Sequence, residues 1–178
     1  MNKLKGIVDT EKHRLRKIYK EKRANLFGSI IKNNLEQLQI ISKCEENLIE
    51  IFKLKNFKND EELSKNFNFY SVISSYYPIN DELNSLEICL KLKEKFPKLR
   101  IVLPIIKPNS RLLEFREYTS EEKLKLGKFN LKEPIESCEL ISPMIVLTPF
   151  LSFDMNKTRL GYGMGYYDNT LQQLYDNK

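Results

Sequence analysis

Residues 69–82 read FYSVISSYYPINDE. Aromatic and β-branched residues fill the first nine positions, Pro78 stops them and an Asn-Asp turn follows, the pattern of a buried strand running into a loop. The stretch after it changes period. An amphipathic helix is expected over about 82–95, with Leu83, Leu86, Ile88, Leu90 and Leu92 as its apolar set and Pro97 beyond its end. LRIVLPII (99–106), LLEFREY (112–118) and MIVLT (144–148) read as three more strands, and QQLYD (172–176) as a closing helix. Strands alternating with amphipathic helices predict an α/β fold: one three-layer domain over 1–178 with a mostly parallel, Rossmann-like sheet.

The amino-terminal third is helical in pattern. Asp9 and Thr10 are placed to cap a helix over about 10–26, with Glu11 in its first turn and Leu15, Ile18 and Leu26 along one stripe. Further helices are expected over about 28–41 and 44–55, and the polar run 56–68 as a loop or short helix.

Composition narrows the function. The 178 residues are 41% hydrophobic and 30% charged, enough for one core and a solvated surface. No apolar run approaches the ~20 residues that cross a bilayer, and MNKLKGIVDTEKHRLRK lacks the apolar region of a signal peptide, so a cytoplasmic location and no membrane contact are expected. Cys44, Cys89 and Cys138 are odd in number and far apart, and His13 is the one histidine, which leaves no disulfide framework, zinc site or Cys-His pair. The net charge of +6 is spread among asparagines and glutamates, with no aromatic platform interleaved. Nucleic acid is therefore not the expected partner. A solvated surface rich in lysine and asparagine accounts for the charge, and a small phosphorylated ligand explains a local excess of it equally well.

In a parallel sheet, ligands bind beyond the carboxyl ends of the strands. Two segments fall there: PINDE after the first strand, and RLGYGMGYYD (159–168) after the fourth. Three of the six glycines lie in the latter, where a missing Cβ lets backbone N–H groups approach a ligand or φ turn positive. The spacing of Gly161, Gly163 and Gly165 does not match a P-loop, and alone it also suits a plain turn. Its neighbours favour a nucleotide. Arg159 can pair with phosphate oxygens, Tyr166 and Tyr167 offer stacking faces and hydroxyls, and Asp168 is a hard ligand suited to magnesium. On the first helix, Lys12, Arg16, Tyr19 and Arg23 share a face, which by periodicity alone is equally an ordinary solvated one.

KHRLRKIYKEKR (12–23), YYPINDELNS (76–85), LGKFNLKEP (126–134) and above all RLGYGMGYYD after the PFLSFD loop resemble the 5-formyltetrahydrofolate cyclo-ligase family, in order, over about residues 10–175. The resemblance implies closure of 5-formyltetrahydrofolate to 5,10-methenyltetrahydrofolate, with ATP and Mg2+ required and ADP and phosphate released. It implies that Lys12, Arg16 and Arg159 act on the phosphates, and that Arg159, Leu160, Gly161, Tyr162, Gly163, Met164, Gly165, Tyr166 and Tyr167 bind ATP. It further implies that Tyr77, Glu82 and Tyr166 contact the folate and that Asp168 holds the magnesium.

Two departures are visible. Tyr162 and Met164 stand where some relatives carry a basic residue, and the relatives continue past the motif into further strands and a second acidic metal ligand. The chain is accordingly expected to be truncated at its carboxyl end, monomeric or associating through an uncovered sheet edge. The alternative expectation is a catalytically impaired nucleotide- or folate-binding relative; an RNA-binding domain is a third.

Overall fold

The computed structural model describes residues 2–31, 34–56 and 72–177. Among them lie four helices, α1 (Asn2–Ile31), α2 (Asn34–Asn56), α3 (Ser85–Lys95) and α4 (Tyr166–Asp176). The strands are β1 (Val72–Ser74), β2 (Arg100–Ile106), β3 (Leu113–Glu117), β4 (Leu124–Leu126), β5 (Lys132–Pro134), β6 (Ile145–Val146), β7 (Ser152–Phe153) and β8 (Arg159–Leu160). The main sheet has the order β3-β2-β1-β6. β1 runs parallel to both neighbours, with Ile73 opposite Ile101 on one side and Ile145 on the other, while β3 returns antiparallel along the far edge of β2. It is a mixed α/β fold with a mostly parallel sheet.

The sheet is apolar on both faces because both are covered. Ile73, Ile101 and Leu103 pack with Leu86, Ile88, Cys89 and Leu92 of α3 and with Ile41 and Leu48 of α2. One residue out of phase, Val72, Val102 and Phe115 face the other way, where Tyr166, Tyr167 and Leu174 of α4 cover them. The period-2 alternation of β2 thus assigns its residues to two cores.

The four predicted strands each contain an observed one; residues 69–71 and 57–68 of the predicted strand and polar run lie outside the described residues. The helix boundaries need correction. Asp9 and Thr10 do not cap a helix: α1 already runs from Asn2, and the Thr10 hydroxyl donates back to the Gly6 carbonyl at 2.9 Å, inside the helix. The breaks expected near 26–28 and 41–44 are also absent, since α1 extends to Ile31 and α2 is continuous from Asn34 to Asn56. Burial of Ile41 and Leu48 against α3 holds α2 together across Ser42 and Lys43. α3 begins three residues later than expected, at Ser85, because the Asn84 side chain accepts from the Glu87 amide and caps it. Its buried set is Ser85, Leu86, Ile88, Cys89 and Leu92, whereas Leu83 and Leu90 are exposed.

Two antiparallel hairpins were not foreseen. β4 pairs with β5, and β7 with β8. Their strands are two or three residues long and hold too few apolar positions for a period to show. Among the described residues no helix is long and apolar enough to cross a membrane.

Candidate functional site

The carboxyl ends of β1 and β6 open onto one cavity of about 150 Å3. From the β1 side come Tyr76, Tyr77 and Glu82; from the β6 side, Pro149, Arg159 and the segment from Gly161 to Asp168. The β4–β5 hairpin closes a third wall with Lys128, Phe129 and Lys132.

The β7–β8 hairpin presents the glycine segment and α4 ends it. Gly163 has φ +98° and Gly165, the residue just before α4, has φ +76°, both in the region that L side chains avoid. A Cβ on Gly163 would lie 3.0 Å from the Arg16 guanidinium carbon. Arg16 Nε donates to the Gly161 carbonyl at 3.0 Å. Helix α1 is therefore clasped to the loop, and the loop delivers its chain to the amino end of α4, where free N–H groups favour an anion.

Arg159 is anchored twice. Its Nη1 donates to the Pro149 carbonyl at 2.8 Å and its Nη2 pairs with Asp168, and the guanidinium lies 5.8 Å from the centre of the Tyr167 ring. Asp168, in the first turn of α4, is mostly exposed. No group of three acidic, histidine or cysteine side chains able to hold a metal occurs among the described residues. A single carboxylate beside a glycine loop and a helix amino end nevertheless fits magnesium, which takes one or two protein carboxylates and completes its shell with substrate phosphates and water.

On the opposite wall Glu82 is 5% exposed. Its Oε2 accepts from the Ile79 amide at 2.8 Å, while its Oε1 is buried without a partner at full hydrogen-bond geometry, its polar neighbours being Arg23 Nη1 at 3.9 Å and the Tyr162 hydroxyl. A buried oxygen left open in this way is an acceptor for a ligand N–H or O–H. Burial pushes the Tyr76 hydroxyl up to about 12 and raises that of Tyr167 further, so both are neutral hydrogen-bonding groups at neutral pH. Lys132 Nζ sits 5.3 Å above the Tyr77 ring.

Of the residues predicted from sequence, Tyr77, Glu82, Arg159 and the loop from Gly161 to Asp168 line the cavity, and Arg16 is bonded to that loop without lining the cavity itself. Leu160 belongs to the β7–β8 ladder, its carbonyl accepting from the Leu151 amide at 2.8 Å. Lys12 is exposed one turn before Arg16 and is not in the wall. Missing from the prediction were Lys128, Phe129 and Lys132. Lys128 Nζ lies 3.1 Å from the Tyr166 hydroxyl and 5.3 Å from the Phe129 ring centre. Their signal was present in LGKFNLKEP, where lysines flank an aromatic residue. Arg23 was placed on the basic helix face but not in the site, although it spans several of the site's segments.

A model of the 5-formyltetrahydrofolate cyclo-ligase family matches residues 11–178, nearly the whole chain. The chain belongs to the 5-formyltetrahydrofolate cyclo-ligase family. Among curated relatives, the 5-formyltetrahydrofolate cyclo-ligase of Haemophilus influenzae is 29% identical over 111 residues, covering 60% of this chain and 58% of that protein. The Escherichia coli enzyme of the same name is 33% identical over 78 residues, 41% of this chain and 43% of that one. The matches thus span about half the length of these relatives. Among solved structures, the NMR structure of Aquifex aeolicus 5,10-methenyltetrahydrofolate synthetase superposes with a TM-score of 0.60 at 27% identity, covering 90% of this chain and 72% of that one. A cyclo-ligase fold accordingly frames the cavity.

Proposed function

We propose that the protein is a cytosolic 5-formyltetrahydrofolate cyclo-ligase on a three-layer, Rossmann-like scaffold, converting 5-formyltetrahydrofolate and ATP to 5,10-methenyltetrahydrofolate, ADP and phosphate. The observation that carries this is the bond from Arg16 to Gly161, which joins a basic helix to a glycine loop at the mouth of a cavity with a buried carboxylate.

In the reaction the formyl oxygen leaves with the γ-phosphoryl group as N-10 closes on the formyl carbon. Such transfer depends on positioning and charge stabilisation. Lys12, Arg16 and Arg159 supply positive charge to the phosphates, and the backbone from Gly161 to Tyr167 wraps them. Glu82, Tyr77 and Tyr166 hold the folate, Glu82 through its open Oε1. Asp168 would share Mg2+ with the phosphates; magnesium, when bound, offsets charge on the transferring group. No protein nucleophile is called for, in keeping with Cys89, whose thiol burial pushes up to about 12, and with the buried Cys138.

The test is direct: product formation followed by near-ultraviolet absorbance, with ADP released in equal amount and nothing formed without ATP. Asp168→Asn is expected to lower turnover about 10- to 150-fold at limiting magnesium, the equivalent of ~1.5–3 kcal/mol for one charge-assisted contact, and to recover partly as magnesium is raised. Equal magnesium dependence in variant and parent would remove the metal role from Asp168. The existing Arg159–Asp168 pair favours a second reading, a nucleotide- or folate-binding relative that keeps the cradle without turnover. ATP binding with no product would support it.

A further inference from the structure

One guanidinium ties together three segments of the cavity wall. Arg23 lies seven residues beyond Arg16, two turns along the same face of α1. Its Nε and Nη2 grip the Asp81 carboxylate at 2.9 and 3.1 Å, and Nη2 also donates to the Tyr162 hydroxyl at 2.5 Å. Nη1 donates to the Phe150 carbonyl at 3.4 Å and stands 3.9 Å from Glu82 Oε1. Asp81 and Glu82 belong to the turn after β1, Phe150 to the loop after β6, and Tyr162 to the glycine loop. The side chains of Arg23 and Asp81 are 19% and 15% exposed, so solvent screens the pair weakly.

The distances separate two tasks. A buried carboxylate such as Glu82 is costly without countercharge. At 3.9 Å, Nη1 supplies that charge yet is too far for a hydrogen bond, so the guanidinium does not occupy Oε1. What keeps the guanidinium at this distance is Asp81, which takes the fork face-on and fixes its plane.

We infer that Arg23 is a positioning residue: held by Asp81, it offsets the charge of Glu82 without consuming its open oxygen, and through Tyr162 it locks the folate end of the cavity to the phosphate loop. The inference rests on the cyclo-ligase assignment for the identity of the ligand. A lysine cannot replace it, because an ammonium lacks the planar fork. Removing Asp81 frees the fork to close on Glu82 and occupy Oε1.

Two measurements test this. By isothermal titration, Arg23→Gln and Asp81→Asn are each expected to weaken 5-formyltetrahydrofolate binding at least tenfold while changing ATP affinity less than threefold, and Arg23→Lys should not restore it. In thermal melting without ligand, Glu82→Gln should recover most of the melting temperature lost in Arg23→Gln, because it removes the stranded carboxylate. Additive losses on melting, wild-type folate affinity in Asp81→Asn, or rescue by Arg23→Lys would each overturn the role. A parent protein that binds both ligands without forming product would instead overturn the catalytic assignment and leave these variants readable; a parent that binds no 5-formyltetrahydrofolate would overturn both.

Discussion

Gly163→Ala is expected to lower turnover of 5-formyltetrahydrofolate by about 70- to 25,000-fold. At φ +98° a Cβ is strained whatever space surrounds it, and here the space is filled: the added carbon would stand 3.0 Å from the Arg16 guanidinium carbon and 3.2 Å from its Nε and Nη2. Holding a side chain in such a backbone region costs about 1–3 kcal/mol. Displacing Arg16 forfeits its bond to the Gly161 carbonyl and the phosphate contact proposed for it, about another 1.5–3 kcal/mol. Their sum, at ~1.36 kcal/mol per decade, gives the expected range. The loss should appear in ATP-dependent steps, with folate binding nearly unchanged. Wild-type turnover in Gly163→Ala would mean that the loop does not approach the helix as described.

Arg159→Ala is expected to cost at least about a hundredfold in kcat/KM, and Arg159→Lys to recover only part of it. The guanidinium holds the Pro149 carbonyl with one arm and Asp168 with the other, so its removal releases the loop after β6 and the first turn of α4 together. Asp168 is largely exposed, so its share is modest, and most of the effect is expected from the carbonyl anchor and from the charge proposed to face the phosphates. Lysine restores charge but reaches one partner at a time. Should Arg159→Lys match the parent, the two-armed anchor is irrelevant to activity.

What the sequence disclosed, and what it hid, follows from the range of the forces involved. The strands at 72–74 and 100–106 were visible because residues buried on both faces leave unbroken apolar runs, and the one at 113–117 because its apolar and charged residues alternate. The end of the sheet that holds the cavity followed from topology, since PINDE and RLGYGMGYYD each come after a parallel strand. Helix limits were hidden. Asp9 and Thr10 have the chemistry of a cap, yet nothing local reveals that α1 starts at Asn2, and the continuity of α2 comes from packing on α3. Arg23 was hidden for the same reason: periodicity puts it on the face of Arg16, but its partners Asp81 and Tyr162 lie 58 and 139 residues away and nothing local shows what that face meets. The hairpin bearing Lys128 was too short to show a period but was marked by its composition.

The proposed activity requires one triphosphate shared by the face of α1 and the loop from Gly161 to Tyr167. Titration of ATP with magnesium into the parent protein, Lys12→Ala and Arg16→Met measures that sharing. Each variant is predicted to bind ATP about 10- to 150-fold more weakly, as expected for one charge-assisted contact of ~1.5–3 kcal/mol, while binding 5-formyltetrahydrofolate within about twofold of the parent. Unchanged ATP affinity in both variants would contradict it.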